Sequence, residues 1–339
     1  MRRRAAVGIL WALLASACSR YRDFLLPRPE PLPAGEPELM WEVRPGPVLG
    51  RGAPGDFDAV DVLNPSVVRH EGLYYNLYSG FDGARWHTGL ATSPDGITWT
   101  KHGRVLSPEE GTWEGAYIAA NGTVEVVNGE FYYWYQAGTP PRIGLARSPD
   151  ARLWRKLPQP VLELGPRGAW DERGVADPYV IRIGGKFYLY FLGQDRAGRQ
   201  RLGVAESDDG IRWWKLRSNP VLELGPRGAF DENGLGEPAV WVAAGRYWML
   251  YTGRDREEIR RIGIAVSEDG VSWRRLGPET VLAGTEAWNS KVVCDPSVEV
   301  TPEGVRVWFG GGDVAHPAEN IHGQIGLAFL RIRSVRLAK

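Results

Sequence analysis

The chain has 339 residues, of which 43 % are hydrophobic, so it can bury a sizeable core and bulk disorder is excluded. Its 41 basic and 41 acidic residues cancel, which argues against nucleic acid or an anionic surface as the principal partner. Fifteen Trp and thirteen Tyr suit both a repetitive aromatic core and a surface that stacks on sugars.

Residues 1–18 read as an export signal. Arg2, Arg3 and Arg4 precede an apolar run from Ala5 to Leu14, too short to span a bilayer comfortably, and then Ala15-Ser16-Ala17-Cys18. Small residues directly before a cysteine resemble a bacterial lipobox, although Leu14 sits one place further out than usual. Cys18 is the expected lipidation site, and the expected location is the cell envelope, with a plain secretory signal as the alternative. Cys294 is the one other cysteine, so the mature chain has no intramolecular disulfide to form; on a strand it is expected to pack as a small hydrophobe. Residues 19–39 hold Pro27, Pro29, Pro31, Pro33 and Pro37 without apolar periodicity and read as an extended tether.

From residue 40 the chain repeats itself. An aromatic, an acidic or amide residue, then a polar residue usually followed by Pro, an apolar run, a Gly turn and an aromatic run ending in Gly recur from Phe57, Trp113, Trp170, Phe230 and Trp288. The polar positions are Asn64, Asn121, Asp177, Glu237 and Asp295, spaced by 57, 56, 60 and 58 residues. A third run follows each copy (Ile143-Gly-Leu-Ala and its equivalents), and in four copies a turn such as Asp95-Gly96 leads to a fourth run at Trp99, Trp154, Trp213 or Trp273. Four antiparallel strands repeated five times predict an all-β, five-bladed β-propeller occupying residues 40–339. The last copy lacks its fourth strand. Trp41 precedes Asn64 by 23 residues, as Trp154 precedes Asp177, so the N-terminal strand is expected to complete the last blade and close the ring.

Alternating strand direction sends the long charged loops and the starts of the innermost strands to one face. The five polar positions should therefore ring the mouth of a central channel. Three acids around a narrow axis repel one another, so at least one should have a raised pKa.

In its blade-start Asp-Pro and Glu-Pro motifs, its aromatic second strands and its hairpins ending in Trp, the chain resembles the five-bladed propeller glycosidases. These are glycoside hydrolase family 43 and its relatives in families 32, 62, 68, 117 and 130. The resemblance covers about residues 40–330. It implies a carbohydrate substrate and inverting hydrolysis, with Glu237 as the acid and Asp177 as the group that tunes it. It implies an Asp base at the position of Asn64, where an amide cannot take a proton from water. Either another carboxylate (Asp61, Asp58 or Asp295) serves as base, or the nucleophile needs none, or the site only binds. Family 130 uses a single acid, with phosphate attacking in its phosphorylases. Its blade-one Asn-Pro resembles Asn64-Pro65, and its Glu-Asp-Pro-Arg motif is partly matched by Ala176-Asp177-Pro178-Tyr179, without the Arg. Candidate substrate-binding residues are Asn64, Asn121, Trp86, His87, Arg196, Arg254 and His322, with Arg85 and Lys291 as further anion-holding cations. Trp113, Trp170 and Trp288 belong to the repeat and are expected to pack blades. No cofactor is required; the resemblance allows a structural Ca²⁺ at the centre, with His322 beside it. The expected partners are carbohydrate and, through the lipid anchor alone, a membrane, with the chain a monomer. A non-catalytic carbohydrate-binding lipoprotein is the second reading.

Overall fold

The computed structural model describes residues 21–30, 37–277 and 281–334. Its strands fall into sets of four. The first set is β3 (Asp61–His70), β4 (Leu73–Phe81), β5 (Trp86–Ser93) and β6 (Thr100–Leu106); the second is β7 (Ala119–Val127), β8 (Glu130–Ala137), β9 (Arg142–Ser148) and β10 (Arg155–Lys156). The third is β11 (Gly174–Ile183), β12 (Lys186–Gln194), β13 (Gln200–Ser207) and β14 (Trp214–Leu216); the fourth is β15 (Gly234–Ala243), β16 (Arg246–Arg254), β17 (Arg260–Ser267) and β18 (Arg274–Arg275). β19 (Val292–Thr301), β20 (Gly304–Gly312) and β21 (Gln324–Ser334) pair in order, and β2 (Pro37–Val43) pairs antiparallel with β21. The first strands adjoin one another in a cycle, β3 to β7, β11, β15, β19 and back to β3.

The repeat has a packing reason. Each set opens on an aromatic that covers the glycine of its third strand: Phe57, Trp113, Trp170, Phe230 and Trp288 lie where a Cβ on Gly89, Gly144, Gly203, Gly263 and Gly326 would meet ring atoms at 2.5–2.9 Å. The three tryptophans are thus packing residues, as the repeat implies. The acidic residue that follows is buried and paired. Asp58 accepts from Tyr78 Oη (2.9 Å) and Lys101 Nζ (2.6 Å), Glu114 from Tyr135 Oη (2.5 Å) and Lys156 Nζ (2.6 Å), and Asp231 from Tyr251 Oη (3.0 Å) and Arg275 Nε (2.7 Å). Asp171 binds Lys215 Nζ, but Phe191 stands in the tyrosine position and Asp171 Oδ1 has no partner among the described residues. In the fifth set, strand β2 supplies Val43 where the others supply Lys or Arg, and the acid is replaced by the neutral Asn289. A charge is buried only where its counter-charge is present.

Residues 21–30 depart from the expected free tether. β1 (Tyr21–Arg22) pairs with the outer strand β14, and Leu26, 2 % exposed, sits in the core between the third and fourth sets. In two other seams an indole fills the equivalent space, Trp134 donating to Gly210 O and Trp308 to Gly96 O, both at 2.8 Å. Between the third and fourth sets the smaller Tyr190 donates to Gly270 O (2.7 Å), and Leu26 fills the remaining volume, 2.8 Å from where a Cβ on Gly270 would stand. Burial of Leu26 and pairing of β1 hold the segment to the domain. Cys18 lies outside the described residues.

Candidate active site

Asn64, Asn121, Asp177, Glu237 and Asp295 occupy one backbone feature. Each sits near the start of a first strand, at a register break between residues 63/66, 120/123, 176/179, 236/239 and 294/297, with φ of 48–53°. This is the left-handed region, where Asn and Asp are tolerated and Glu is unusual. A bulge here adds one residue to the inner strand and turns its side chain toward the axis. The strain accumulates where the five side chains converge, a pattern characteristic of functional sites.

The five positions are joined around the axis. Asp177 Oδ1 accepts from Asn121 Nδ2 (2.6 Å) and its Oδ2 from the Glu237 backbone N–H (3.2 Å). Glu237 Oε2 lies 3.4 Å from the Asp295 N–H, which also reaches Thr252 Oγ1 (3.1 Å), and Asp295 Oδ2 accepts from the Asn64 N–H (3.1 Å) and from Cys294 Sγ (3.1 Å). Burial and the Glu237 charge push Asp177 up to about 7. The same two causes hold Asp295 well above the carboxylate range, and burial with the adjacent carboxylates keeps the Cys294 thiol protonated. The expected repulsion among the acids is therefore present, and it shows as the raised pKa of Asp177 and of Asp295. Their counter-charge is Arg260, a residue the sequence reading passed over. Burial opposes its charge, but Cys294, Glu237 and Asp295 outweigh that and raise its pKa; its Nη2 donates to His316 O (2.7 Å).

Above the ring lies a cavity of about 240 Å³. All five ring residues line it, with Trp86, Gln136, Gln194, Gln200, Arg254 and Arg260 among the walls. Trp86 stacks on Phe81 at 4.9 Å between ring centroids, and Tyr117, donating to Glu319 (2.7 Å), bridges loops of the second and fifth sets at the rim. Arg254 is held by Glu258 (3.0 Å) and Gln200 (2.7 Å).

Four predicted site residues lie elsewhere. Asp61, fully buried, spends its oxygens on the N–H groups of Asn320, Ile321 and Gly323, and so anchors the loop over residues 313–323 instead of facing substrate. His87 follows Trp86 in β5, and strand alternation turns it away from the cavity to Ser107 and Asp82 (3.0 and 3.1 Å). Arg196 is exposed and pairs with Glu172 (2.9 Å), and His322 bonds Asp313 (2.7 Å) at the surface. Asp58, a further candidate base, is buried against Tyr78 and Lys101.

Among the described residues the one cluster of three metal-ligand types is Glu237, Cys294 and Asp295. It contains a thiol, its oxygens accept N–H groups, and Arg260 already supplies positive charge. Calcium takes 6–8 oxygen ligands, so this set does not fit it. His322 is not part of it.

No family model matches the sequence. The chain is 30 % identical over 235 residues to the uncharacterized protein Rv1502 of Mycobacterium tuberculosis (strain ATCC 25618 / H37Rv), covering 63 % of this chain and 75 % of that protein. It is 28 % identical over 225 residues to the beta-1,2-mannobiose phosphorylase of Thermoanaerobacter sp. (strain X514), covering 62 % and 68 % respectively. A 1,2-beta-oligomannan phosphorylase from the same strain is 31 % identical over 135 residues, covering 37 % of this chain and 45 % of that one. Among solved structures, a family 117 glycoside hydrolase of Zobellia galactanivorans superposes with a TM-score of 0.64 at 18 % identity, covering 89 % of this chain and 92 % of that one. A structure from work reporting that the GH130 family of mannoside phosphorylases contains glycoside hydrolases acting on β-1,2-mannosidic linkages in Candida mannan gives a TM-score of 0.67 at 17 % identity, covering 89 % and 96 %. The fold is thus that of the propeller glycosidases. Within it, the chain belongs to one family with the mycobacterial protein Rv1502.

Proposed function

We propose that this chain is a closed five-bladed β-propeller, completed by β2, that breaks the glycosidic bond of a terminal sugar by protonating the leaving oxygen. The observation that carries this reading is the strained, hydrogen-bonded trio of Asp177, Glu237 and Asp295 at the floor of the cavity, with a raised pKa at Asp177. Glu237 is the half-exposed member and faces the cavity, so it is the group that hands the proton over; Asp177 and Asp295 keep protons in the trio near neutral pH. As the C1–O bond breaks, the proton of Glu237 moves to the departing oxygen and an incoming oxygen bonds C1; where that oxygen is water, the proton it sheds replaces the one the trio gave up. The cavity is smaller than the roughly 300–1,000 Å³ usual for small-molecule sites, which favours one ring at a chain end over an internal stretch. The relatives' names suggest β-1,2-linked mannosides as the substrates to try first.

The nucleophile is water in the first reading. A second reading, phosphorolysis, is favoured by one feature: the acids lining the cavity are all members of the trio, and Glu237 and Asp295 place carboxylate oxygens within 4.8 Å of each other. An inverting hydrolase keeps its base about 6.5–9.5 Å from the acid to admit water. Phosphate needs no such base. The test is sugar release from β-1,2-mannobiose with and without phosphate, using Glu237→Gln as control. Release that survives in the variant, or no release from any mannoside, overturns the acid assignment. Dependence on phosphate selects the second reading, and phosphate-independent release the first. Export and lipidation at Cys18 complete the proposal, supported by the charged, apolar and small-residue pattern of residues 1–18.

A further inference from the structure

The way the described chain begins fixes a direction. β1 runs parallel to β14, Tyr21 opposite Lys215 and Arg22 opposite Leu216. β14 leaves the turn at residues 208–213 and runs toward the cavity face, so Tyr21 lies nearer than Arg22 to the face opposite the cavity. The segment then returns to that same face. Leu26 N–H donates to Asp269 O in the β17–β18 turn (3.0 Å), and Tyr247 Oη, at the start of β16, donates to Pro27 O (2.5 Å). Pro27 also lies beside Gly184 of the β11–β12 turn. Arg22, paired with Glu206 and set 4.5 Å over the Trp214 ring, fixes the outer end. The attachment is part of the core, because Leu26 takes the volume that an indole takes in two other seams.

Six large apolar side chains are exposed among the described residues: Leu25, Tyr117, Leu153, Val242, Val300 and Val314. Tyr117 and Val314 belong to the cavity face. The other four lie on the opposite one: Leu25 in the attached segment, Leu153 in the β9–β10 turn, and Val242 and Val300 near the ends of β15 and β19. Spread over several sets, they do not form one groove for a protein partner. Separate apolar side chains on one face suit a lipid headgroup boundary, which each can enter alone.

Cys18 precedes Tyr21 by three residues, a reach of at most about 11 Å. Resting on lipidation at Cys18, we propose that the face opposite the cavity docks on a lipid bilayer. Leu25, Leu153, Val242 and Val300 meet the headgroup region, and the cavity opens away from the membrane, toward glycans on the solvent side. Pro27 and Pro29, which follow the attachment at Leu26, then do not space the domain from its anchor.

The test uses the full chain, purified from membranes and reconstituted in phosphatidylethanolamine–phosphatidylglycerol vesicles. Leu153→Cys, Val300→Cys and Val314→Cys carry a fluorophore, one per protein; Cys294 is fully buried and escapes labelling. Headgroup spin-labelled lipid should quench the probes at 153 and 300 several-fold more than the probe at 314. Equal quenching, or more at 314, overturns the docking while leaving the anchor standing. Fractionation separates the two claims: wild type should follow the membranes and Cys18→Ser the soluble fraction. A wild-type chain recovered wholly as soluble protein overturns the anchor and the docking together.

Discussion

The buried pair Asp171–Lys215 allows the repeat to be tested against itself. Asp171 is fully buried, Lys215 is 6 % exposed, and the ammonium also donates to Glu163 O (2.6 Å). Asp171→Asn leaves that ammonium without its counter-charge in the core, which costs about 3–5 kcal/mol. The fifth set shows how the same position is built without charge, with Asn289 and Val43 at the equivalent places in the repeat. The double variant Asp171→Asn/Lys215→Val copies that arrangement and should return to within about 1–2 kcal/mol of wild type, since a neutral replacement of a buried pair is often close to neutral. Urea denaturation of the two variants measures the difference. pH adds a signature. Burial holds Lys215 below its usual pKa, and Asp171 partly offsets this. Without Asp171 the folded pKa falls further, while the unfolded lysine binds its proton up to about 10.4. The unfolded state then binds more protons over that window, so the stability of Asp171→Asn should rise with pH more steeply than that of wild type. A double variant no more stable than the single one, with no difference in pH slope, would refute this account of the repeat.

Phe191→Tyr should stabilise by about 0.5–1.5 kcal/mol, because it gives Asp171 Oδ2 the hydroxyl donor that Oδ2 of Asp58 and of Asp231 accepts from; the same urea titration reads it. Asp177→Asn should abolish sugar release yet raise stability at pH 8 by on the order of 1–3 kcal/mol. The folded pKa of about 7 lies above the unfolded carboxylate value, so this group's stabilisation is complete below about 4 and lost as pH rises through 7; Asn escapes the loss, which melting curves at pH 5 and pH 8 would show. Gly203→Ala places a methyl 2.5 Å from Trp170 and should cost about 1–3 kcal/mol by denaturant titration. Leu26→Ala should cost about 2–5 kcal/mol and expose the 21–30 segment to limited proteolysis.

The period of the sequence made the strand sets and the five ring residues legible, because each copy must bury the same aromatic over the same glycine and turn the same residue to the axis. Arg260 was missed although the same period reaches it. The residue two before the third-strand Ile-Gly-Leu-Ala motif is Trp86, Pro141, Gln200 and Arg260 in the first four copies, and all four line the cavity. Alternation then sends the next residue outward, which is why His87 faces Ser107 while Arg201 and Arg261 pair with Asp195 and Asp255. Asp61 and the 21–30 segment were not legible. Whether an acid near a ring residue faces a ligand or secures a loop depends on where residues 313–323 fold. That Leu26 has a place to go depends on Tyr190 being smaller than tryptophan.

Because the five ring residues owe their positions to bulges in separate strands, the backbone acts as a set of interchangeable sockets. Asn, Asp and Glu already occupy it with φ values within 5° of one another. Exchanging a side chain there alters what the pocket can do to a bound molecule while each strand keeps its partners. Asn64 is one such setting. A lineage with this scaffold can therefore gain, move or lose a proton-transfer group by a single codon change, and closely similar chains need not share one reaction.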